Sequence, residues 1–181
     1  TSGCFCNSPA TSNTPKMRGC PRNIETMSPS LLARLQGKYR RILSAASHCR
    51  PMTMQNTVPL ISFSFDDFPQ SALVIGGDIL STYGVKGTYY VSLNLLGRDT
   101  PTGRICSSEQ VAAAWEQGHE LGCHTFDHVD AWETEPSSFE ESVLANRRTL
   151  KHLVPGAEFV TMSYPISNPR PATKERMGRR F

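Results

Sequence analysis

From residue 58 onwards, segments typical of strands alternate with segments typical of helices, and this order limits the fold more than any other feature. Four apolar runs rich in β-branched and aromatic residues are predicted as strands, at 58–65, 87–92, 119–123 and 159–164. Each is followed by a predicted helix, at 71–83, 107–117, 137–154 and 172–180. Four successive strand–helix units predict an α/β fold with a parallel sheet.

Two of these segments carry more specific expectations. The run at 58–65 is predicted to be a buried strand. The helix at 71–83 is predicted to turn Leu73, Val74, Ile79 and Leu80 towards the core.

The first 57 residues differ in texture, so we divide the chain into an N-terminal extension at 1–57 and a domain at 58–181. Residues 1–23 are rich in Ser, Thr, Asn, Pro and Gly, a composition typical of disorder, and the extension is predicted to be largely disordered or leader-like. Within it, residues 28–47 can form one basic amphipathic helix with an apolar side at Leu31, Leu32, Leu35, Tyr39 and Leu43. The pattern favours a docking helix or a disordered leader over a membrane-surface role.

Composition excludes several classes of function. The chain has 181 residues and a formal net charge of +3, with basic residues concentrated at 38–41 and 174–180. Neither cluster alternates aromatic and basic residues in a groove-like pattern, so nucleic-acid binding is not expected. No apolar run is long enough for a transmembrane segment, and no signal-peptide pattern is present. The six cysteines are irregularly spaced and are expected to be mostly free thiols.

Polar residues follow three of the predicted strands directly. Asp66 and Asp67 follow the first, His124 and His128 follow the third, and a Ser-Tyr-Pro run at 163–165 ends the fourth. Ligand sites in α/β folds lie at the carboxyl ends of the strands. Taken singly, the aspartates could stabilise a helix N-terminus, and the histidines could be one core and one surface residue.

Together these residues form a more specific pattern. Two histidines and one carboxylate are a common ligand set for an open catalytic zinc or a related divalent ion. Adjacent carboxylates can also divide the work, because one can bind the metal while the other acts as a general base. The sequence therefore predicts a metal site at this edge of the sheet.

Four sequence runs resemble the polysaccharide deacetylases, the NodB-homology family also called carbohydrate esterase family four. The runs are Ser-Phe-Asp-Asp at 64–67, Gly-Thr-Tyr-Tyr-Val at 87–91, Gly-His-Glu-Leu-Gly-Cys-His-Thr-Phe-Asp-His at 118–128 and Tyr-Pro at 164–165. The third contains the family's His-Ser/Thr-x-x-His motif. The resemblance covers roughly residues 58–165.

This resemblance implies a fold, a reaction and residue roles. The fold would be α/β, a distorted and incomplete (β/α) barrel, and we expect it to be truncated at the C-terminus. Asp66 would be the general base, and Asp67, His124 and His128 would bind the metal. The backbone N–H of Tyr164 would stabilise the oxyanion. The reaction implied by the resemblance is metal-dependent removal of acetyl groups from an N- or O-acetylated polysaccharide or oligosaccharide. A bound metal would supply its nucleophile, because it lowers the pKa of water to about 7.

The implied partners are equally general. Zinc is the expected ion, and cobalt, nickel or manganese would accept the same ligands. An N-acetylglucosamine-containing glycan is the expected substrate, and the cell envelope or the exterior is the expected location.

Two alternatives remain open. One is a relative that hydrolyses a C–N bond in a cyclic amide. The other is a truncated, non-catalytic carbohydrate-binding form, because the family's later motifs, including its general-acid histidine, have no counterpart before Phe181. We accordingly expect residues 1–181 alone to be a poor deacetylase. A serine hydrolase is not expected, since no Gly-x-Ser-x-Gly run is present.

Overall fold

A computed structural model describes residues 30–51 and 53–181. The helices of this part are α1 (Leu31–Ala46), a π-helix (Ala72–Gly77), α2 (Asp78–Thr82), a 3-10 turn (Leu93–Leu95), α3 (Ser108–Glu116), α4 (Pro136–Leu153) and α5 (Pro171–Met177). The strands are β1 (Ser64–Phe65), β2 (Thr88–Val91), β3 (Asp99–Thr100), β4 (Gly103–Arg104) and β5 (Glu120–Cys123). None of the described helices is long and apolar enough to span a membrane.

The central sheet is parallel, with strand order β1-β2-β5. A parallel bridge between Cys123 and Met162 adds the segment at 161–163 beside β5. Glu120 reinforces this junction, since its carboxylate accepts hydrogen bonds from Thr88 Oγ1 at 3.0 Å and Thr161 Oγ1 at 2.6 Å. The sheet is partial and unclosed, and the carboxyl ends of its strands meet at one edge. A short antiparallel hairpin, β3-β4, lies outside it.

The core lies between the sheet and the helices that cross it. Tyr89 and Leu121 from the sheet are fully buried, as are Phe139 and Val143 from α4. Asn146 lies on the same face of α4 and is also fully buried. Its side chain accepts a hydrogen bond from Leu93 N at 3.0 Å and donates one to Val91 O at 2.8 Å. One polar side chain thus ties α4 to the carboxyl end of β2.

Two predicted strands are wrong in extent. The run at 58–65 is not a buried strand: only Ser64 and Phe65 pair with β2, while Leu60 and Ile61 are 67% and 80% exposed. β1 is the edge of the sheet, and residues before it have no ladder partner among the described residues. The predicted strand at 159–164 is reduced to the single bridge at Met162. Apolar composition alone does not make a strand without a neighbouring strand to bond.

The helix predicted at 71–83 is also different in form. Its first half is a π-helix, and the inward side is carried by Leu73 and Leu80, whereas Val74 and Ile79 are more than half exposed. The wider π turn changes which positions face the core, so the prediction is confirmed for Leu73 and Leu80 and wrong for Val74 and Ile79. A Cβ at Gly76 would lie 3.0 Å from the Phe65 ring. The absence of a side chain at Gly76 therefore lets this turn approach β1.

The remaining helices agree with the prediction to within a few residues. α3 begins at the predicted serine pair with a full capping box between Ser107 and Gln110. α4 begins one residue earlier than expected, at Pro136, where proline is favoured in the first turn. α5 ends at Met177, three residues before the predicted end.

We expect Gly122→Ala to destabilise the fold, because a Cβ at this position of β5 would overlap the ring of Tyr90. Overpacking of this kind lowers the free energy of unfolding by about 1–3 kcal/mol. We therefore expect Tm, measured by thermal unfolding, to fall by several degrees. Gly37→Ala in α1 is the matched control, since a Cβ there meets nothing within 4 Å. An unchanged Tm for Gly122→Ala would contradict this account of the close contact between β5 and β2.

Candidate metal centre and active site

Three side chains predicted as metal ligands converge at the carboxyl edge of the sheet. Asp67 follows β1, and His124 and His128 follow β5. Asp67 Oδ1 lies 3.4 Å from His124 Nε2 and 3.0 Å from His128 Nε2. The three ligand atoms all lie within 4.8 Å of one another. Residues as far as 61 positions apart in the chain, Asp67 to His128, therefore present one oxygen and two nitrogens to a single point.

The backbone at this cluster is unusual. Asp67 and His128 have φ values of 63° and 55°, and Phe68 and Thr125, which directly follow Asp67 and His124, have values of 50° and 59°. This left-handed region is uncommon for residues other than glycine and is an outlier for a β-branched threonine. Such strain persists only where the surroundings hold it, and it concentrates at functional sites. Here Thr125 is fully buried, and its Oγ1 accepts a hydrogen bond from Val129 N at 3.2 Å.

His124 is the most rigidly held of the three. It is 2% exposed, and its ring Nδ1 lies 2.9 Å from the carbonyl oxygen of Ser163. A carbonyl can only accept, so Nδ1 carries the proton and Nε2 presents its lone pair to the cluster. Burial lowers the pKa of His124, which favours the same neutral form.

The loop from His124 to His128 is tied to α4 and to the 3-10 turn. Ser142 Oγ of α4 accepts hydrogen bonds from Phe126 N at 3.0 Å and from Asp127 N at 3.3 Å. Asn94 Nδ2 donates to Asp127 Oδ1 at 2.8 Å. Asp127 therefore contributes to loop structure, and its carboxylate is outside the ligand cluster.

The arrangement fits a divalent ion better than a hydrogen-bonded triad. A neutral His124 with its proton on Nδ1 has no proton on Nε2 to donate to Asp67. Ligand atoms about 2.0–2.2 Å from one tetrahedral ion are themselves about 3.4 Å apart, close to the distances from Asp67 Oδ1 to the two imidazoles. Two imidazoles and one carboxylate also leave a fourth position open, as catalytic zinc sites do.

Asp66 stands beside this cluster with an exposed side chain. Its Oδ2 accepts a hydrogen bond from Ser163 Oγ at 3.2 Å. Ser163 thus touches both halves of the site, because its hydroxyl reaches Asp66 and its carbonyl reaches His124. Asp66 is near the ligands without being one of the three that converge.

Tyr164 lies next in the chain, and its ring packs on Phe139 with centroids 5.9 Å apart. Burial raises the pKa of its phenol to about 12, so the hydroxyl stays protonated at neutral pH. Among the described residues, the Tyr164 backbone N–H donates no hydrogen bond.

Three other polar residues lie outside the site. His119 is buried behind the sheet, where its Nδ1 accepts a hydrogen bond from Gly87 N at 3.2 Å. His152 is exposed on α4. Arg170 donates to the carbonyl oxygens of Trp132, Glu133 and Thr134 and so supports a loop.

Sequence reasoning missed two residues that shape the site. Ser163 lies at a predicted strand end, and a hydroxyl at the same edge as Asp66 is a signal for a hydrogen bond to that carboxylate. Asn146 interrupts the apolar face of α4 formed by Phe139, Val143 and Leu150. A polar residue at such a position indicates a buried hydrogen-bond partner.

Of the cysteines, the described part of the chain shows Cys49, Cys106 and Cys123 as free thiols, which agrees with the prediction for those three. Cys4, Cys6 and Cys20 lie outside the described residues, as does the predicted disorder of 1–23. The division of the chain at residue 57 remains a prediction.

The fold and the cluster together give the class of the protein. It is an α/β protein whose Asp-His-His cluster, at the edge of a partial sheet, could hold a divalent metal. A sequence model of the family named Polysaccharide deacetylase matches residues 54–179, well over half of the chain. The protein belongs to the polysaccharide deacetylase family, and the predicted family is confirmed. No curated protein matches the chain in sequence.

Solved structures agree on the fold. IcaB from Ammonifex degensii superposes with a TM-score of 0.61 at 20% identity, over 84% of this chain and 76% of that chain. The deacetylase PplD of Streptococcus pyogenes, in complex with acetate, gives 0.58 at 19% identity, over 78% of this chain and 58% of that chain. A family 4 acetyl xylan esterase from Clostridium thermocellum, with a cobalt ion, gives 0.50 at 21% identity, over 64% and 53%. These similarities confirm the predicted α/β, incomplete-barrel fold class.

Proposed function

We propose that this protein is a metal-dependent deacetylase that removes acetyl groups from an N- or O-acetylated polysaccharide or oligosaccharide. The observation that carries the proposal is the convergence of Asp67, His124 and His128 beside Asp66. The family and the fold give the reaction class, and this cluster supports a hydrolysis that needs an activated water.

The three converging residues would hold the ion. When bound, a divalent ion supplies Lewis-acid chemistry that makes water a nucleophile near neutral pH. Zinc is the ion we propose, and cobalt, nickel and manganese suit the same ligands. His124 and His128 orient their Nε2 atoms, and Asp67 supplies the oxygen.

Asp66 takes the proton from the attacking water. Its Oδ2 already accepts a hydrogen bond from Ser163, so Oδ1 is the oxygen left to accept the proton. The water oxygen bonds to the acetyl carbon, the bond from that carbon to the sugar nitrogen or oxygen breaks, and the departing atom takes up the proton that Asp66 removed from the water. The products are acetate and a free amine or hydroxyl on the sugar.

The Tyr164 amide would stabilise the negative charge that develops on the carbonyl oxygen. It donates no hydrogen bond to a described residue, and it follows Ser163, whose side chain contacts the base. A backbone donor of this kind typically contributes about 10²–10³ in rate.

The proposed substrate is a glycan that contains N-acetylglucosamine. The names of the solved neighbours support cleavage of both amide and ester bonds of acetyl groups, since one is named a deacetylase and another an acetyl xylan esterase. By the same resemblance we place the reaction at the cell envelope or outside the cell.

The function is tested by acetate release from chito-oligosaccharide, peptidoglycan fragments and acetylated xylan. We expect the zinc-reloaded protein to release acetate from at least one of them, slowly because residues 1–181 contain no counterpart of the family's general-acid histidine, and the chelator-stripped protein to release none. Equal rates with and without the ion would contradict the proposal.

Ser163→Ala should leave metal affinity intact but lower turnover, because it removes the hydroxyl that orients Asp66 and keeps the carbonyl that orients His124. A loss of about 10-fold in kcat is expected from one such hydrogen bond. Ser137→Ala, an exposed serine of α4, is the matched control. A fall in zinc affinity with unchanged kcat would show that Ser163 acts on the ligands and not on the base.

A further inference from the structure

Helix α1 presents an apolar side to solvent. Five large side chains on one stripe are 56–75% exposed: Leu31, Leu32, Leu35, Tyr39 and Ile42. Helical geometry of about 100° per residue places them within about one third of the circumference. A contiguous exposed stripe of this kind marks an interaction site.

The protein body holds α1 by the opposite side. Ser44 is buried and lies about 180° around the helix from Leu35. Arg40 forms an ion pair with Glu133 at 2.6 Å, and its guanidinium lies 5.2 Å from the centroid of the Trp132 ring.

The C-terminal end of α1 is also anchored. Lys174 Nζ of α5 donates to the carbonyl oxygens of Ser44 and Ser47, each at 2.7 Å. The sequence pattern favours a docking helix or a disordered leader over a membrane-surface role. An amphipathic helix that docks normally buries its apolar side, however, and this one turns that side away.

The charges on α1 have one sign. The helix contains Arg34, Lys38, Arg40 and Arg41 and no acidic residue. Arg40 contacts the rest of the protein through Glu133 and Trp132. Arg34, Lys38 and Arg41 are exposed and lie in a strip along one edge of the apolar stripe. Arg34, Lys38 and Arg41 form no ion pair with any described residue.

We propose that α1 docks the protein on an anionic lipid surface, with the helix in the plane of the interface. The apolar stripe would enter the boundary between headgroups and acyl chains, and Arg34, Lys38 and Arg41 would contact anionic headgroups. Because the stripe faces away from the body, residues 53–181 stay on the water side. Two copies meeting through this stripe would bring their cation strips together, so charge favours lipid over self-association.

The test is sedimentation of the full chain with vesicles of phosphatidylcholine alone, or of equal parts phosphatidylcholine and phosphatidylglycerol, at low ionic strength. We expect binding to the second kind only. Replacing Arg34, Lys38 and Arg41 together by Gln should weaken it about 100-fold, at roughly 1 kcal/mol per cation. Replacing Leu35 and Ile42 by Asn should weaken it about 10-fold or more.

Matched controls separate this site from net charge and general hydrophobicity. Arg98, Arg104 and Lys151, all exposed and outside α1, are replaced together by Gln, which gives the same net charge. Ile79→Asn replaces an apolar residue of α2 that is 55% exposed. Both controls should bind like the parent.

Three outcomes would overturn the proposal. They are no binding to anionic vesicles, equal loss in the control variants, or a dimer in light scattering that the Leu35 and Ile42 substitutions abolish while vesicle binding is absent. The last would assign the stripe to a second copy of the chain.

Discussion

His128→Ala is expected to lower zinc affinity by more than 100-fold and to abolish acetate release. The change removes one of three converging ligands, and loss of even an outer hydrogen-bond partner costs about 10–100-fold in affinity. His128 is about a quarter exposed, so its removal should leave the core intact. Titration calorimetry of the chelator-stripped protein measures the affinity.

Two further variants make this result interpretable. His152→Ala removes an exposed histidine of α4 and should bind zinc like the parent. His128→Asn keeps a residue that tolerates the left-handed backbone at φ 55°, in case alanine folds poorly there. Full metal affinity in folded His128→Ala would remove this residue from the ligand set.

Asp66→Asn is expected to retain zinc and lose about 10²–10⁴ in turnover. The substitution keeps the shape of the side chain and its contact with Ser163 but removes the carboxylate that accepts the proton. The measurement is kcat for acetate release from the best substrate, together with metal content.

Asp127→Asn is the matched control, because Asp127 lies in the same region but is bonded to Asn94 and is outside the cluster. It should keep most of its activity. A near-normal kcat for Asp66→Asn would refute its role as the base.

The candidate site was more predictable from the sequence than the strands that carry it. Asp67, His124 and His128 were predicted to meet because polar residues that directly follow parallel strands share one edge. That inference needs the strand order but not the exact strand lengths. The three side chains converge even though the first strand is two residues long and the fourth predicted strand is a single bridge.

What could not be predicted depends on neighbours distant in the chain. The exposure of Leu60 and Ile61 follows from the position of β1 at the sheet edge, which no local pattern encodes. The π-helix at 72–77 changes the period on which the inward face of that segment was predicted. The side of α1 that contacts the body is set by Glu133 and Lys174, far away in sequence.

The left-handed backbone at Asp67, Phe68, Thr125 and His128 bears on how the chain would change if selection for chemistry ceased. Each such residue costs about 1–3 kcal/mol, against a net stability of about 5–15 kcal/mol for a typical domain. Glycine would relieve that cost at every one of the four positions, and asparagine at several. Mutational drift would therefore replace the ligand-bearing residues while favouring the fold, so a descendant could lose the reaction and gain thermal stability through the same substitutions.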